Sequence, residues 1–232
     1  MSGEKYFADR KEPSSNRYLF AGARIFTGTA HRHVNISLTA LVQMADFAKC
    51  AGIALQFEGI DPEEGFSGSG KTAAKYGVTV QLAKDADDLD TFDKNGDGRI
   101  TEKDIKKLTF DDAIAAYKRV YWDCWKLDEL DCDQKALLVF DAALNHGHKV
   151  GAKIVQKALI ALGFDAVVAD GIYGPQTRKA MLDVETETFV GAYFNSRERY
   201  YQALVSAYAD QRQNLPKWMA RLEGLKEALA CM

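Results

Sequence analysis

Apolar residues recur at helical spacing in stretch after stretch of this chain, and most stretches are bounded by residues that start or stop helices. From Ser37, "SLTALVQMADFAKCAGIALQFEG" keeps one apolar face and closes at Gly59, a residue suited to the left-handed turn after a helix. Thr109 and Asp112 form a capping-box pair ahead of "AIAAYKRVYW". "DQKALLVFDAALNHG" stops at Gly147, and "VGAKIVQKALIALG" stops at Gly163. Pro175 opens a further helix, where its missing N–H costs little. Two more follow, at about 186–211 and, after Pro216, about 217–229. The pattern changes in one place. "IDPEEGFSGSGKTAA" has the Gly, Ser and Asp content of a loop, and "KYGVTVQL" has the β-branched alternation of a short strand. The expected fold is mainly α, of α+β type, with a helical body and a small β-hairpin wall near residues 60–82.

With 232 residues, 47% hydrophobic and 27% charged, the chain has material for a proper core. A net charge of −3 gives no basic field, so nucleic acid is not an expected partner. No apolar run approaches the ~20 residues of a membrane helix, so no membrane insertion is expected. The N-terminal "MSGEKYFADRKEPSSNR" lacks the apolar core of a secretory signal, and residues 1–36 show no periodicity and read as an extension. Cys50, Cys124, Cys132 and Cys231 have no metal-ligand spacing; buried free thiols are expected, with a Cys124–Cys132 bridge as the alternative in an oxidising compartment. His31, His33, His146 and His148 show no zinc pattern and read as surface or capping residues.

Residues 93–104, "DKNGDGRITEKD", have the spacing of an EF-hand calcium loop. Asp93, Asn95 and Asp97 stand at positions 1, 3 and 5, and Gly98 stands at the sharp turn. Arg99 offers its carbonyl, Thr101 its hydroxyl or a bridging water, and Asp104 closes the loop. Ile100 is the apolar residue that ties such a loop to the core. The closing Asp, in place of Glu, resembles the loops of dockerin modules. Sensors pair two loops; a single loop after the acidic "KDADDLDTF" points to a structural calcium.

Other stretches carry a family resemblance. "FEG" at 57–59, a Gly-rich loop and "TAAKYGVT" at 72–79 resemble the opening of glycoside hydrolase family 108, the N-acetylmuramidases. "AYKRVYWD" at 116–123, "VFDAALNHG" at 139–147 with "IVQKAL" at 154–159, "ADGIYGPQT" at 169–177, and "RERYY" at 197–201 with "WMAR" at 218–221 follow in the family's order. Ile60 stands where the family has a second Gly, and residues 85–104 are an insertion relative to its short members. The resemblance implies a lysozyme-like muramidase domain over 37–230. Within it, 85–108 form the calcium-binding insertion and about 134–225 a peptidoglycan-binding helical half.

The chemistry this implies is hydrolysis of the β-1,4 bond between N-acetylmuramic acid and N-acetylglucosamine. That reaction needs one protonated carboxyl and a second group to stabilise or attack the oxocarbenium-like centre. Glu58 is the expected acid: it ends a long apolar helix, so one side of it is dry, and a dry carboxyl keeps its proton. Glu63 and Glu64, in the polar loop, are its rivals. The second group stays open between Asp61, in the loop after Glu58, and Asp141, one helical turn before Asn145; burial as a bonded structural carboxylate is the other reading of Asp141. Thr72 is expected to orient water, and Tyr76, Asn145 and Tyr173 to contact substrate, Tyr173 as an exposed platform; packing is the other reading of Tyr76. Tyr121, Trp122 and Trp125 have the helical spacing of core residues, with sugar platforms as the alternative. Peptidoglycan lies outside the cytoplasm, so a chain made there without a signal would need delivery to the periplasm or cell wall. A phage endolysin released by a holin fits, as does an antibacterial effector with a secretion apparatus and an immunity protein. A non-catalytic peptidoglycan-binding module and a calcium-responsive interaction protein are the alternatives.

Overall fold

The computed structural model describes residues 44–232; the extension at 1–36, the start of a helix at Ser37, and His31 and His33 lie outside the described residues. The first described helix, α1 (Phe47–Phe57), is capped by Asp46, whose carboxylate accepts the Lys49 N–H. Its other end is fixed by Gly59 at φ 68°. The Gly59 N–H donates to the Gln56 carbonyl and the Ile60 N–H to the Leu55 carbonyl, the paired bonds of a Schellman turn. Glu58 is thereby held at the helix C-cap.

The β wall is smaller than a strand over "KYGVTVQL" would make it. β1 (Ala74–Lys75) pairs antiparallel with β2 (Val78–Thr79), Ala74 opposite Thr79 and Lys75 opposite Val78. Tyr76 and Gly77 turn between them with φ of 51° and 72°, the left-handed pair of a tight hairpin. A Cβ on Gly77 would sit 2.4 Å from the Tyr117 hydroxyl, so only glycine fits. Thr79 then accepts the Leu82 N–H and turns the remainder into α2 (Val80–Asp85). Here local capping overrides alternation.

Short helices α3 (Leu89–Phe92) and α4 (Glu102–Ile105) flank the acidic loop. α5 (Phe110–Tyr117) begins at the expected Thr109–Asp112 capping box and runs on as one π turn over Lys118–Trp122. The body is α6 (Asp133–Ala161), α7 (Pro175–Asp183), α8 (Thr186–Ala207) and α9 (Leu215–Ala230). α6 is two helical segments broken at Gly147, where φ is 73°, at the stop expected there. Buried Gln156 donates to Asp170, Ile172 and Thr177 and accepts the Gly171 N–H, pinning the "DGIYGP" turn to α6. The architecture is mainly α with one small antiparallel hairpin among the described residues, as the periodicity required.

Trp122 and Trp125 are core residues, as their spacing suggested. Of the four thiols only Cys50 is buried, and all are free: Cys124 donates to the Val120 carbonyl and is not bridged to Cys132. No described helix is long and apolar enough to cross a membrane.

Candidate active site

Two carboxylates meet in a cleft of about 210 Å³ between the C-terminal end of α1, the hairpin, and the α5–α6 body. Its lining includes Glu58, Ile60, Glu64, Gly77, Tyr117 and Tyr121. Ile60, the departure from a double glycine, puts its side chain against the hairpin turn and so forms part of the wall. A larger cleft of about 570 Å³ lies between α6 and α8, but no carboxylate lines it. Size does not locate the chemistry here.

Glu58 sits at the negative end of the α1 dipole, an unfavourable place for an anion. Arg221, from α9, offsets this. Its Nη2 donates to Glu58 Oε1 at 2.7 Å and its Nη1 to the Phe57 carbonyl at 3.3 Å. The same Nη2 donates to Asp141 Oδ1 at 2.6 Å. Asp141 and Arg197 are wholly buried and paired, and Arg197 also donates to Tyr193, Tyr201 and Asn145. Although burial opposes it, the Arg197 and Arg221 guanidiniums hold the Asp141 carboxyl below the usual carboxylate range. Asp141 is therefore a structural anion, and Asn145 is its neighbour through Arg197, with its side-chain oxygen already occupied.

Glu64 is the residue that the loop's polarity concealed. It is half-buried, lines the cleft with Glu58, and its Oε2 is buried without a hydrogen-bond partner among the described residues. A buried unpaired carboxylate oxygen is costly, and a substrate hydroxyl in the cleft would supply the partner it lacks. Burial first, and then Tyr121, Glu58 and Glu64, push the Tyr117 phenol up, so it remains a donor, to the Tyr76 carbonyl at 3.1 Å.

The other expected residues are placed differently. Asp61 is exposed and accepts the Glu63 N–H at 2.8 Å, closing the turn that carries Glu64. Thr72 is exposed on a 3-10 turn and donates to the Ser69 carbonyl; it does not line the cleft. Tyr76 packs edge-on against Phe110, and its neighbour Gly77 faces the cleft instead. Tyr173 is buried, not exposed: its ring stacks on Trp125 at 4.7 Å, because Gln156 draws the turn inward. Tyr121, expected in the core, lines the cleft.

His146 is likewise no surface residue. Burial and then the Arg197 charge depress its pKa to about 3, so it is neutral beside Tyr201. An unfolded histidine takes its proton near pH 6.5, well before the folded one, so stability falls as pH drops from 6.5 towards 3. Thermal melts should decline over that window with a slope approaching about 1.4 kcal/mol per pH unit from this residue, and His146→Gln should remove that part of the slope.

The acidic loop is wound on its own backbone. Asp93 accepts the N–H groups of Gly96, Asp97 and Gly98, Asn95 accepts that of Asp97, and Asp97 that of Arg99. Against some desolvation, the backbone N–H groups, led by Gly98, hold the Asp93 carboxyl below its ordinary range. Asp104 is fully buried and accepts from Asn95 and from both groups of Thr101, while Ile100 is buried as expected. Among the described residues no three carboxylate, imidazole or thiol groups stand together as a preformed cage.

Residues 60–147 match the family model Glycosyl hydrolase 108, and residues 150–223 match Predicted Peptidoglycan domain. The chain is a glycoside hydrolase. The two matches together make it a peptidoglycan hydrolase, acting on the cell wall. Most of the hydrolase's cleft lies inside the first match; Glu58 stands two residues upstream of it, and Arg221 belongs to the second. Among solved structures, SagA of Brucella abortus superposes with a TM-score of 0.52 at 19% identity, covering 79% of this chain and 94% of that one. That likeness is one of fold. The comparison with curated proteins returned no match.

Proposed function

We propose that the hydrolase cleaves the β-1,4 bond between N-acetylmuramic acid and N-acetylglucosamine, with Glu58 as general acid. The observation that carries this is the shared cleft of Glu58 and Glu64: two carboxyl groups facing one space are what glycosidic cleavage requires. Arg221 occupies Glu58 Oε1 and leaves Oε2 without a partner among the described residues, so Oε2 is the atom to carry the transferred proton. Sugar filling the cleft would expel water from around that carboxyl. Glu64, with its unpaired oxygen, is the second group, as attacking carboxylate or as base for water. Asp61 serves it from the turn. Tyr121 offers a ring edge or face at the cleft wall.

We further propose a structural calcium on Asp93, Asn95, Asp97, the Arg99 carbonyl, Thr101 and Asp104. The donors are all oxygen and in loop order, which suits a hard cation, and each carboxylate has lone pairs beyond those given to backbone N–H groups. The bound ion would supply charge neutralisation and loop order. The loop is well placed to transmit that order. Glu102 accepts the Gly70 N–H and Lys75 donates to the Lys106 carbonyl on the hairpin side; Lys94 pairs with Asp112 at the start of α5.

Digestion of purified peptidoglycan with mass analysis of products, in calcium and in chelator, tests both parts. Muropeptides ending in reducing N-acetylmuramic acid are expected, with slower release and a lower melting temperature in chelator. Products ending in N-acetylglucosamine, or in an internal anhydro ring, would overturn the reaction. Equal melting temperatures with and without calcium would overturn the metal.

A further inference from the structure

We infer that Arg221 positions the catalytic carboxyl, so that the C-terminal half, matched as a peptidoglycan domain, is also a working part of the active site. This rests on Glu58 being the acid. Three features of the geometry carry it.

The first is reach. Arg221 lies 163 residues from Glu58 in sequence, on a helix that the first family match does not include, yet it donates to both Glu58 and the last carbonyl of α1. The second is support. Arg221 is only 10% exposed, and its Nε and Nη2 both donate to Asp141, which Arg197 fixes from the far side. The chain of contacts Arg197–Asp141–Arg221–Glu58 alternates in sign and begins in the core of α8 and α6. Of these four groups, only Glu58 stands in the cleft. The third is closeness. A Cβ on Gly224, one turn after Arg221, would lie 2.7 Å from the Phe57 ring, and the Arg221 guanidinium lies over that ring at 5.4 Å. α9 thus packs the bare backbone of Gly224 directly against the Phe57 ring at the end of α1.

A carboxyl at a helix end has rotamer freedom that an acid catalyst must lose before it can protonate a leaving oxygen. A planar guanidinium braced on a buried anion removes it: Oε1 is fixed, and Oε2 is left without a partner among the described residues. An isolated ammonium would supply charge without that bracing, because a lysine has no fork to hold two carboxylates in one plane.

The test measures kcat and KM on soluble glycan strands, together with sacculus binding, for Arg221→Met, Arg221→Lys and Glu58→Gln in the full chain. In Arg221→Met, kcat should fall about 10²-fold, the scale of a small misplacement, with KM and sacculus binding held within about two-fold. Arg221→Lys should recover part of the loss. Wild-type kcat in either folded variant overturns the inference, as does a loss confined to KM or to sacculus binding. Where the methionine variant does not fold, the lysine variant decides by the same criteria. Full activity in Glu58→Gln would instead remove the acid assignment on which the inference rests, so the two failures are told apart.

Discussion

Glu58→Gln should lower the release of reducing sugar from peptidoglycan by about 10²- to 10⁴-fold, the range that a positioned general acid contributes. The variant should remain folded. Glutamine keeps a side-chain oxygen where Arg221 donates, so the contact between α1 and α9 is preserved while the transferable proton is lost. Glu64→Gln makes the informative comparison. Its Oε2 has no partner to lose, so stability should hold or rise slightly, while activity falls because the second carboxylate is gone. Reducing-end assays and thermal melts on both variants separate catalysis from folding. Wild-type turnover in Glu58→Gln would end the assignment of the acid.

Asp141→Ala should be the most destabilising single change at the site, with little need of substrate to see it. The Asp141 carboxylate is wholly buried between Arg197 and Arg221, and removing it leaves Arg197 buried with an uncompensated charge. Breaking a buried pair in this way costs about 3–5 kcal/mol, a large share of the roughly 5–15 kcal/mol that holds a domain together. Urea or thermal unfolding would measure it, and a loss under about 1 kcal/mol would contradict the network's role. The same carboxyl carries a pH signature. Its folded pKa is depressed by the two guanidiniums against burial, so its contribution is complete above the ordinary aspartate value of about 3.9 and drains away as pH falls below it. Asp141→Asn should remove that acid limb. The His146 slope begins near pH 6.5, well above the Asp141 limb, so the upper part of its window reports on His146 alone and the single variants separate the two effects.

Much of the frame could be read from local signals. Gly59 specified the Schellman turn that presents Glu58, Thr109 and Asp112 specified the start of α5, and Gly147 specified the break in α6, because each acts through backbone geometry within a few residues. The carboxylate-bearing end of α1 was legible for the same reason. Alternation misled over residues 75–82, where a two-residue turn and the Thr79 cap decide the outcome.

What the sequence by itself determined is a mainly helical body, a hairpin near a helix-ending glutamate, and a loop of calcium-ligand spacing. Only the tertiary structure decided which second carboxylate faces Glu58, and that Arg221 holds it. Glu63 and Glu64 are alike as letters, and Asp61 is nearer to Glu58 in the chain; the turn closed by Asp61 is what sends Glu64 into the cleft. Arg221 and Asp141 are 80 residues apart and each is an ordinary charged residue on its own helix. Their pairing is settled by long-range packing of α9 on α1 and α6, where burial makes a lone charge costly and a matched one stable. Local codes reach a few residues; desolvation acts on whatever the fold brings together.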